Sequence, residues 1–225
     1  MPAQVLRTGI RAAAKKKRRN EILSSAIRLF CRQGIEGTSM EAISAEAGIG
    51  SATIYRYFPT KAELLKAAIL HSWSEKTKQY LPRLQTTAYA EATGAAQLST
   101  ILDLFCSLYA YDADFLRFLQ AFDHYLQSGT FPPESLSEYE ELLLSLKEYA
   151  TAALDKGRAD GSLHFNESAD EIYFSVFHAM LSTTQKLALQ GDLLAMDSTV
   201  PGGHQLKIVK NLLLSGLQAA PIQSV

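Results

Sequence analysis

Cysteine is scarce in this sequence of 225 residues, and long apolar runs are missing. The two cysteines, Cys31 and Cys106, lie far apart and match no metal-binding spacing, which favours their interpretation as small buried hydrophobic residues. No apolar run approaches the roughly 20 residues that span a bilayer. The basic N-terminus is not followed by the apolar segment of a secretory signal, so we expect a cytoplasmic protein with no membrane partner.

Motifs that mark common enzymes and cofactor sites are also missing. The sequence has no P-loop, no G-x-S-x-G nucleophile turn and no H-E-x-x-H zinc motif. Gly48 and Gly50 do not begin a dinucleotide fingerprint, because Thr53 replaces the third glycine and the segment follows a predicted helix rather than a strand. The histidines are scattered without ligand spacing. The sequence therefore predicts a protein that is not an enzyme and that has no cofactor and no metal.

The polar–apolar alternation of β-strands is absent as well, and apolar residues recur at helical spacing in almost every segment. Three Ser/Thr–Glu pairs, each three residues apart, resemble capping boxes at helix starts: Thr38 with Glu41, Thr60 with Glu63, and Ser168 with Glu171. An all-α fold is predicted. The predicted helices cover about residues 14–33, 39–47, 51–57, 61–80, 95–111, 113–127, 135–159, 169–190 and 204–219.

Charge is unevenly distributed along the chain. Residues 1–61 contain eleven basic and four acidic residues, a net charge of +7, whereas the remainder contains eleven basic and nineteen acidic residues, a net charge of −8. This split fits a nucleic-acid-binding head on an acidic body. A basic solubilising tail in front of an ordinary domain would give the same split. Charge alone therefore does not distinguish a nucleic-acid-binding head from such a tail.

Residues 38–58 have the pattern of two short helices joined by a tight turn. Met40 and Ile43 share one face of the first helix, and Gly48 stands where a left-handed residue would end that helix. Gly50 can then cap a second short helix. Two such helices joined by a glycine turn form a helix-turn-helix, whose second helix enters the major groove of DNA with its N-terminal residues leading.

The residues of the second helix can be divided by side. Ile54 and Phe58 are apolar and four residues apart, so we expect them to face the core. The hydroxyl, alanine and arginine side chains left outward suit base edges and phosphates. A helix N-terminus and a lysine in the first turn of the next helix also favour phosphate. The predicted DNA-contacting residues are Thr38, Ser51, Ala52, Thr53, Tyr55, Arg56, Tyr57 and Lys61.

The N-terminal segment resembles the tetracycline-repressor (TetR) family of bacterial regulators over about residues 16–66. The resemblance depends on the apolar pairs Ile22-Leu23 and Leu29-Phe30, on the turn around Gly48, and above all on Thr53–Lys61, which reads TIYRYFPTK. Two positions depart from the usual pattern. Gly50 stands where the family most often has serine, and Ser44 where it most often has alanine; Gly50 therefore removes one expected phosphate contact.

The resemblance implies an all-α homodimer that places one head in each of two successive major grooves of a near-palindromic operator. It also implies an inducer pocket in the C-terminal body and a dimer interface of four helices. We therefore expect residues 1–61 to form a basic arm and a three-helix DNA-binding domain. Residues 62–225 are expected to form a helical ligand-binding and dimerisation domain.

The body carries an aromatic stripe around residues 115–125 and several further aromatic residues. Core packing explains such a stripe, but so does an apolar ligand cavity. Aromatic lining with few bases would favour a small hydrophobic ligand that is neutral or cationic. His178 lies in an apolar segment, which predicts a buried histidine, either satisfied in the core or facing the ligand. The candidate ligand-binding residues are Phe118, Phe122, Tyr125, His124, Phe177 and His178.

The last predicted helix is apolar on more than one face, which fits either a helix within its own body or contact with a second subunit. The candidate dimer-interface residues are Val176, Met180, Ile208 and Leu212. The sequence thus predicts a DNA-binding regulator, a repressor released from its operator by a small hydrophobic ligand. The alternative is an architectural protein that uses the same head and docks a protein partner without an inducer.

Overall fold

The computed structural model describes residues 2–127, 129, 131–190, 193 and 199–219. Within these ranges the chain is helical and contains no strand, so the predicted all-α fold is confirmed. The α-helices in the described ranges are α1 Pro2–Gln33, α2 Met40–Glu46, α3 Ser51–Tyr57, α4 Lys61–Tyr80, α5 Thr87–Glu91, α6 Gly94–Tyr111, α7 Ala113–Leu126, α8 Ser137–Asp160, α9 Ala169–Gln190 and α10 Gly202–Gln218.

Two helices differ from the sequence prediction. Helix α1 begins at Pro2 rather than near residue 14: no proline follows Pro2 within the helix, and Gly9 lowers its helix propensity without ending it. The short helix α5 was not predicted, since Thr87–Glu91 is too short to show apolar periodicity. The hydroxyl of Thr86 caps α5 by accepting a hydrogen bond from the backbone N–H of Tyr89 at 3.1 Å.

The chain divides into two compact units. The first unit comprises residues 1–72 and 118–136, and the second comprises residues 73–117 and 137–225. The predicted division of DNA-binding and regulatory domains at residues 61/62 concerns function and stays a prediction.

The core of the first unit is built from the apolar faces of α1–α4. Ile22, Leu23 and Ala26 of α1 are fully buried, as are Ile43 of α2 and Ile54 of α3. These residues recur at the spacing that places them on one side of each helix, which is why short helices such as α2 and α3 are stable in this context. The aromatic residues of this unit add a stacked pair, because the rings of Phe30 and Phe118 lie 5.8 Å apart and nearly parallel.

In the second unit α6 packs against α8, α9 and α10. Small residues allow the closest approach between α6 and α8: a Cβ atom on Gly94 would overlap the backbone of Gly157. The start of α9 is held by the predicted capping box. The backbone N–H of Ser168 donates to the carboxylate of Glu171 at 2.8 Å, and the backbone N–H of Glu171 donates to the hydroxyl of Ser168 at 3.2 Å.

Candidate DNA-binding interface

Helix α2 is capped by Ser39 and not, as the sequence predicted, by Thr38. The hydroxyl of Ser39 accepts a hydrogen bond from the backbone N–H of Ala42 at 3.1 Å. Thr38 is only 1% exposed, and its hydroxyl donates to the carbonyl of Gly34 at 2.7 Å. The capping box expected for Thr38 and Glu41 is therefore wrong by one residue, within the usual uncertainty of helix ends.

The turn between α2 and α3 has the expected backbone. Gly48 has φ +62°, the left-handed conformation in which a side chain would be strained. The turn is closed by the backbone N–H of Ile49, which donates to the carbonyl of Ser44 at 2.9 Å. Gly50 is the N-cap of α3 and supplies no side-chain hydrogen bond. The predicted helix-turn-helix geometry is thereby confirmed.

Helix α3 presents two different sides. Ile54 is fully buried and Phe58, at the C-cap, is 3% exposed, as the spacing predicted. Polar and small side chains occupy the other side. Ser51, Ala52, Tyr55 and Arg56 are exposed, and Thr53 and Tyr57 are partly exposed. One side of α3 is thus free to enter a groove while the other anchors it to the head. Contacts between these outward residues of α3 and DNA stay predictions.

Two of these candidate side chains have partners within the head. The hydroxyl of Tyr55 donates to the carboxylate of Glu41 on α2 at 3.0 Å. The ammonium of Lys61 donates to the carbonyl of Glu36 at 3.3 Å, although the sequence suggested an external anion for it. Burial lowers the pKa of Lys61, and the charge of Glu36 opposes this effect. A phosphate contact by either side chain would require it to share or exchange its present partner.

Ionic contacts hold α1 to the C-terminal end of α2. The guanidinium of Arg28 donates to the carboxylate of Glu46 at 3.1 Å, and that of Arg32 donates to the same carboxylate at 3.2 Å. The hydrogen bond from Arg28 is the main reason that the pKa of Glu46 is below its usual value. At the other end of the helix-turn-helix, the guanidinium of Arg19 lies 5.3 Å from the centre of the Phe58 ring. The sequence revealed neither contact, because the partners are far apart in the chain.

The six candidate ligand-binding residues fall into both compact units. Phe118, Phe122, His124 and Tyr125 belong to the first unit, whereas Phe177 and His178 belong to the second. Phe118 and Phe122 are fully buried. Phe118 stacks on Phe30, and Phe122 and Tyr125 both contact the ring of Phe131 at 6.0 Å. Core packing within the first unit therefore accounts for Phe118 and Phe122, whereas Tyr125 is partly exposed.

In the second unit the aromatic residues of α6 and α9 cluster. The ring of Phe177 lies 5.4 Å from Phe105 and 4.4 Å from Tyr173. Burial raises the pKa of the Tyr173 hydroxyl. His178 is exposed and not buried as its apolar sequence context suggested, because it lies on the outer side of α9 beside the exposed ring of Phe174. His124 is exposed too.

The four candidate interface residues differ in their exposure. Val176 and Met180 are buried within the second unit, 6% and 0% exposed, so packing inside the chain already accounts for them. Ile208 and Leu212 on α10 are 44% and 68% exposed. Their exposure is unusual for large apolar side chains four residues apart on one helix face, and it leaves a surface on α10 that a second subunit could cover. A dimer contact through these residues stays a prediction.

One polar cluster was not found from the sequence. The carboxylate of Asp112, at the end of α6, accepts hydrogen bonds from Lys76 and from the hydroxyl of Tyr80, both on α4. The ammonium of Lys76 also lies 5.9 Å from the centre of the Phe115 ring, against which Trp73 packs edge-on. The only signal in the sequence was an aspartate after an apolar helix, which is too common to single out.

Comparison with known proteins agrees with this geometry. Residues 22–68 match the family described as bacterial regulatory proteins, tetR family. The HTH-type transcriptional repressor KstR of Rhodococcus jostii is 39% identical over 56 residues, which make up 25% of this chain and 26% of that repressor. The chain thus spans about a quarter of that relative's length. The resemblance of the N-terminal segment to the TetR family is confirmed.

Solved structures extend the likeness to the whole fold. A candidate transcriptional regulator from Saccharomonospora viridis in complex with choline has a TM-score of 0.72 and 17% identity, covering 91% of this chain and 99% of that one. AibR in complex with isovaleryl coenzyme A and operator DNA has a TM-score of 0.64 and 20% identity, covering 89% of this chain and 98% of that one. At such identities the likeness shows the fold. Among the described residues, no helix is both long and apolar enough to cross a membrane.

Proposed function

We propose that this chain is a DNA-binding transcriptional repressor that acts in the cytoplasm as a homodimer and leaves its operator when a small molecule binds. The observation that carries this proposal is the two-sided helix α3, which buries Ile54 and Phe58 and exposes Ser51, Ala52 and Arg56. The buried side holds the helix to the head. The opposite side carries exposed side chains that are small or can form hydrogen bonds, and the helix begins directly after a glycine turn. That combination is what insertion into a major groove requires.

The function is tested by selecting DNA from a random pool of duplexes and measuring affinity for the recovered sequence. We expect a near-palindromic site. Replacing Arg56→Ala should weaken binding by roughly 5- to 150-fold, the effect of about 1–3 kcal/mol for a bidentate contact to a base. Loss of sequence preference in this variant would place Arg56 on a base, whereas equal weakening on all sequences would place it on a phosphate.

Arg117→Ala is the matched control for this experiment. Arg117 is also exposed, pairs with Asp114 on its own helix and lies outside the helix-turn-helix, so its loss should leave affinity unchanged. Recovery of no duplex by the unmodified protein at low salt would reject the proposed function.

The effector proposal depends on the aromatic cluster of the second unit. The rings of Phe105, Tyr173 and Phe177 lie within 4.4–5.4 Å of one another in successive contacts, and Tyr173 is only partly exposed. Aromatic faces attract apolar groups and organic cations, and they offer no charge to a phosphorylated ligand. We therefore assign to this cluster a hydrophobic, neutral or cationic effector. The choline in the S. viridis structure illustrates the cationic case.

Release from DNA distinguishes the possible effectors. Titration of the protein–duplex complex with choline, with a series of neutral hydrophobic compounds and with isovaleryl coenzyme A should show release by a member of the first two classes. Phe177→Leu should weaken the response of that compound while leaving DNA affinity unchanged. Release by the acyl-coenzyme A alone would contradict the assigned class. Failure of every compound would favour the architectural alternative, in which a protein partner replaces the effector.

A further inference from the structure

Helix α1 extends at its N-terminal end far beyond the part that packs in the core. Its buried residues begin at Ile22, yet the helix starts at Pro2, and residues 9–19 are exposed throughout. Residues 1–20 contain no acidic side chain and seven basic ones. The exposed residues 9–19 alone would be only marginally helical as a free peptide, so their covalent continuity with the buried half of α1 supports the helix and fixes the direction in which it leaves the head. The basic segment is therefore an ordered extension of the head rather than a loose tail.

Three cations form a row along this extension. Arg11, Lys15 and Arg19 follow each other at intervals of four residues, so they lie on one side of the helix and span roughly 12 Å of its axis. All three side chains are exposed. Arg19 marks where the row begins, because its guanidinium lies 5.3 Å from the ring of Phe58, the C-cap residue of α3. The row thus starts at the C-terminal end of α3 and extends away from it.

Lys17 provides an internal comparison. It lies two residues from Lys15 and is equally exposed, but at 100° per residue its side chain leaves α1 on nearly the opposite side. Together with Glu21 and Glu46, Lys17 lines a groove between α1 and the end of α2. Two lysines of equal charge that are only two residues apart are therefore directed to different surroundings.

We propose that the row of Arg11, Lys15 and Arg19 is a second DNA contact, which binds the sugar–phosphate backbone beyond the major groove occupied by α3. This inference assumes the proposed function and adds a site to it. The ligand class is the backbone phosphate of duplex DNA, which such a row of cations recognises without reading sequence. The contact requires the helical form of the extension, since only the helix places the three cations on one side.

The test uses the full-length protein and a duplex of about 40 base pairs centred on the site selected from the random pool. Lys15→Gln should lower the slope of log affinity against log salt concentration by about 0.9 per subunit, the release of counterions from one phosphate. The double variant Arg11→Gln/Lys15→Gln should lower it by about twice that amount. Both should lose hydroxyl-radical protection of the backbone outside the α3 site, with sequence preference unchanged.

Two comparisons make the inference falsifiable. Lys17→Gln removes the same charge from the other side of the helix, so it should keep the flanking protection and most of the slope. Asn20→Pro retains all seven cations but ends the helix between them and the core, where proline is tolerated as a first helical residue. We expect this variant to lose the flanking protection and the difference between Lys15 and Lys17.

Equal effects of Lys15→Gln and Lys17→Gln, or flanking protection that survives Asn20→Pro, would overturn the helical contact in favour of a loose charged tail. An unchanged footprint and slope in the double variant would overturn the site altogether. Either result is distinguishable from failure of the proposed function, in which the unmodified protein binds no selected duplex. Circular dichroism melting of each variant separates these results from loss of the folded head.

Discussion

Replacing Ile54→Ala should destabilise the DNA-binding head by about 2–5 kcal/mol and abolish operator binding at physiological temperature. Ile54 is the buried residue of α3 and has no exposed surface. Its truncation removes apolar contacts and leaves a cavity beneath a helix of only seven residues, which has little stability of its own. The outward side chains of α3 would then lose the fixed positions that a groove requires.

Thermal unfolding followed by circular dichroism measures the first of these effects, and fluorescence anisotropy with the selected duplex measures the second. We expect the unfolding of the head to shift down by on the order of 10 °C. Ile10→Ala is the matched control: the same substitution on α1, where the isoleucine is 63% exposed, should change the melting temperature by at most a few degrees. Equal shifts in the two variants would show that α3 does not depend on its buried face.

The contrast between these two isoleucines illustrates what could be predicted from the sequence. Ile54 and Phe58 could be assigned to the core because a helix of known start has a fixed period, and the glycine turn supplied that start. The same reasoning identified the outward side of α3. It could not show that the hydroxyl of Tyr55 is held by Glu41, or that Lys61 is held by the carbonyl of Glu36, since such contacts depend on the angle between helices.

The body was less accessible to prediction for a physical reason. An aromatic stripe has the same spacing whether it lines a cavity or fills a core, so periodicity could not show that Phe118 and Phe122 are buried. The structure gives Phe118 a stacked partner in Phe30, 88 positions away in the sequence. His178 shows the opposite error: an apolar sequence context does not bury a side chain when the helix turns that side chain outward.

The polar cluster at Asp112 carries the second large expected effect, on the stability of the second unit. Asp112→Ala should cost about 1–3 kcal/mol, the penalty for leaving a largely buried donor without its acceptor. The side chain of Asp112 is 8% exposed and that of Lys76 is 20% exposed, so water replaces the lost carboxylate poorly. Tyr80 would lose its acceptor as well. Burial and the hydrogen bond to Asp112 now raise the pKa of the Tyr80 hydroxyl far above its usual value.

Three further variants separate the loss of a partner from the loss of a charge. Asp112→Asn keeps a hydrogen-bond acceptor of similar size and should cost less than Asp112→Ala. The double variant Lys76→Met/Asp112→Leu removes both charges, and it should recover part of the stability because no charge is left without a partner, although the Tyr80 hydroxyl still lacks its acceptor. Asp114→Ala is the control: its side chain is 81% exposed and pairs with Arg117 at the surface, so the cost should stay within about 1 kcal/mol.

Urea unfolding of these variants decides what the cluster does. If Asp112→Ala costs no more than Asp114→Ala, the cluster is solvated and contributes nothing to the second unit. If the double variant is as unstable as Asp112→Ala, the loss comes from the Tyr80 hydroxyl without its acceptor or from packing around Phe115 and Trp73, and not from an unpaired charge. The expected order, with Asp112→Ala least stable and the double variant more stable than it, would show that Asp112 is required in large part because it pairs with the charge of Lys76.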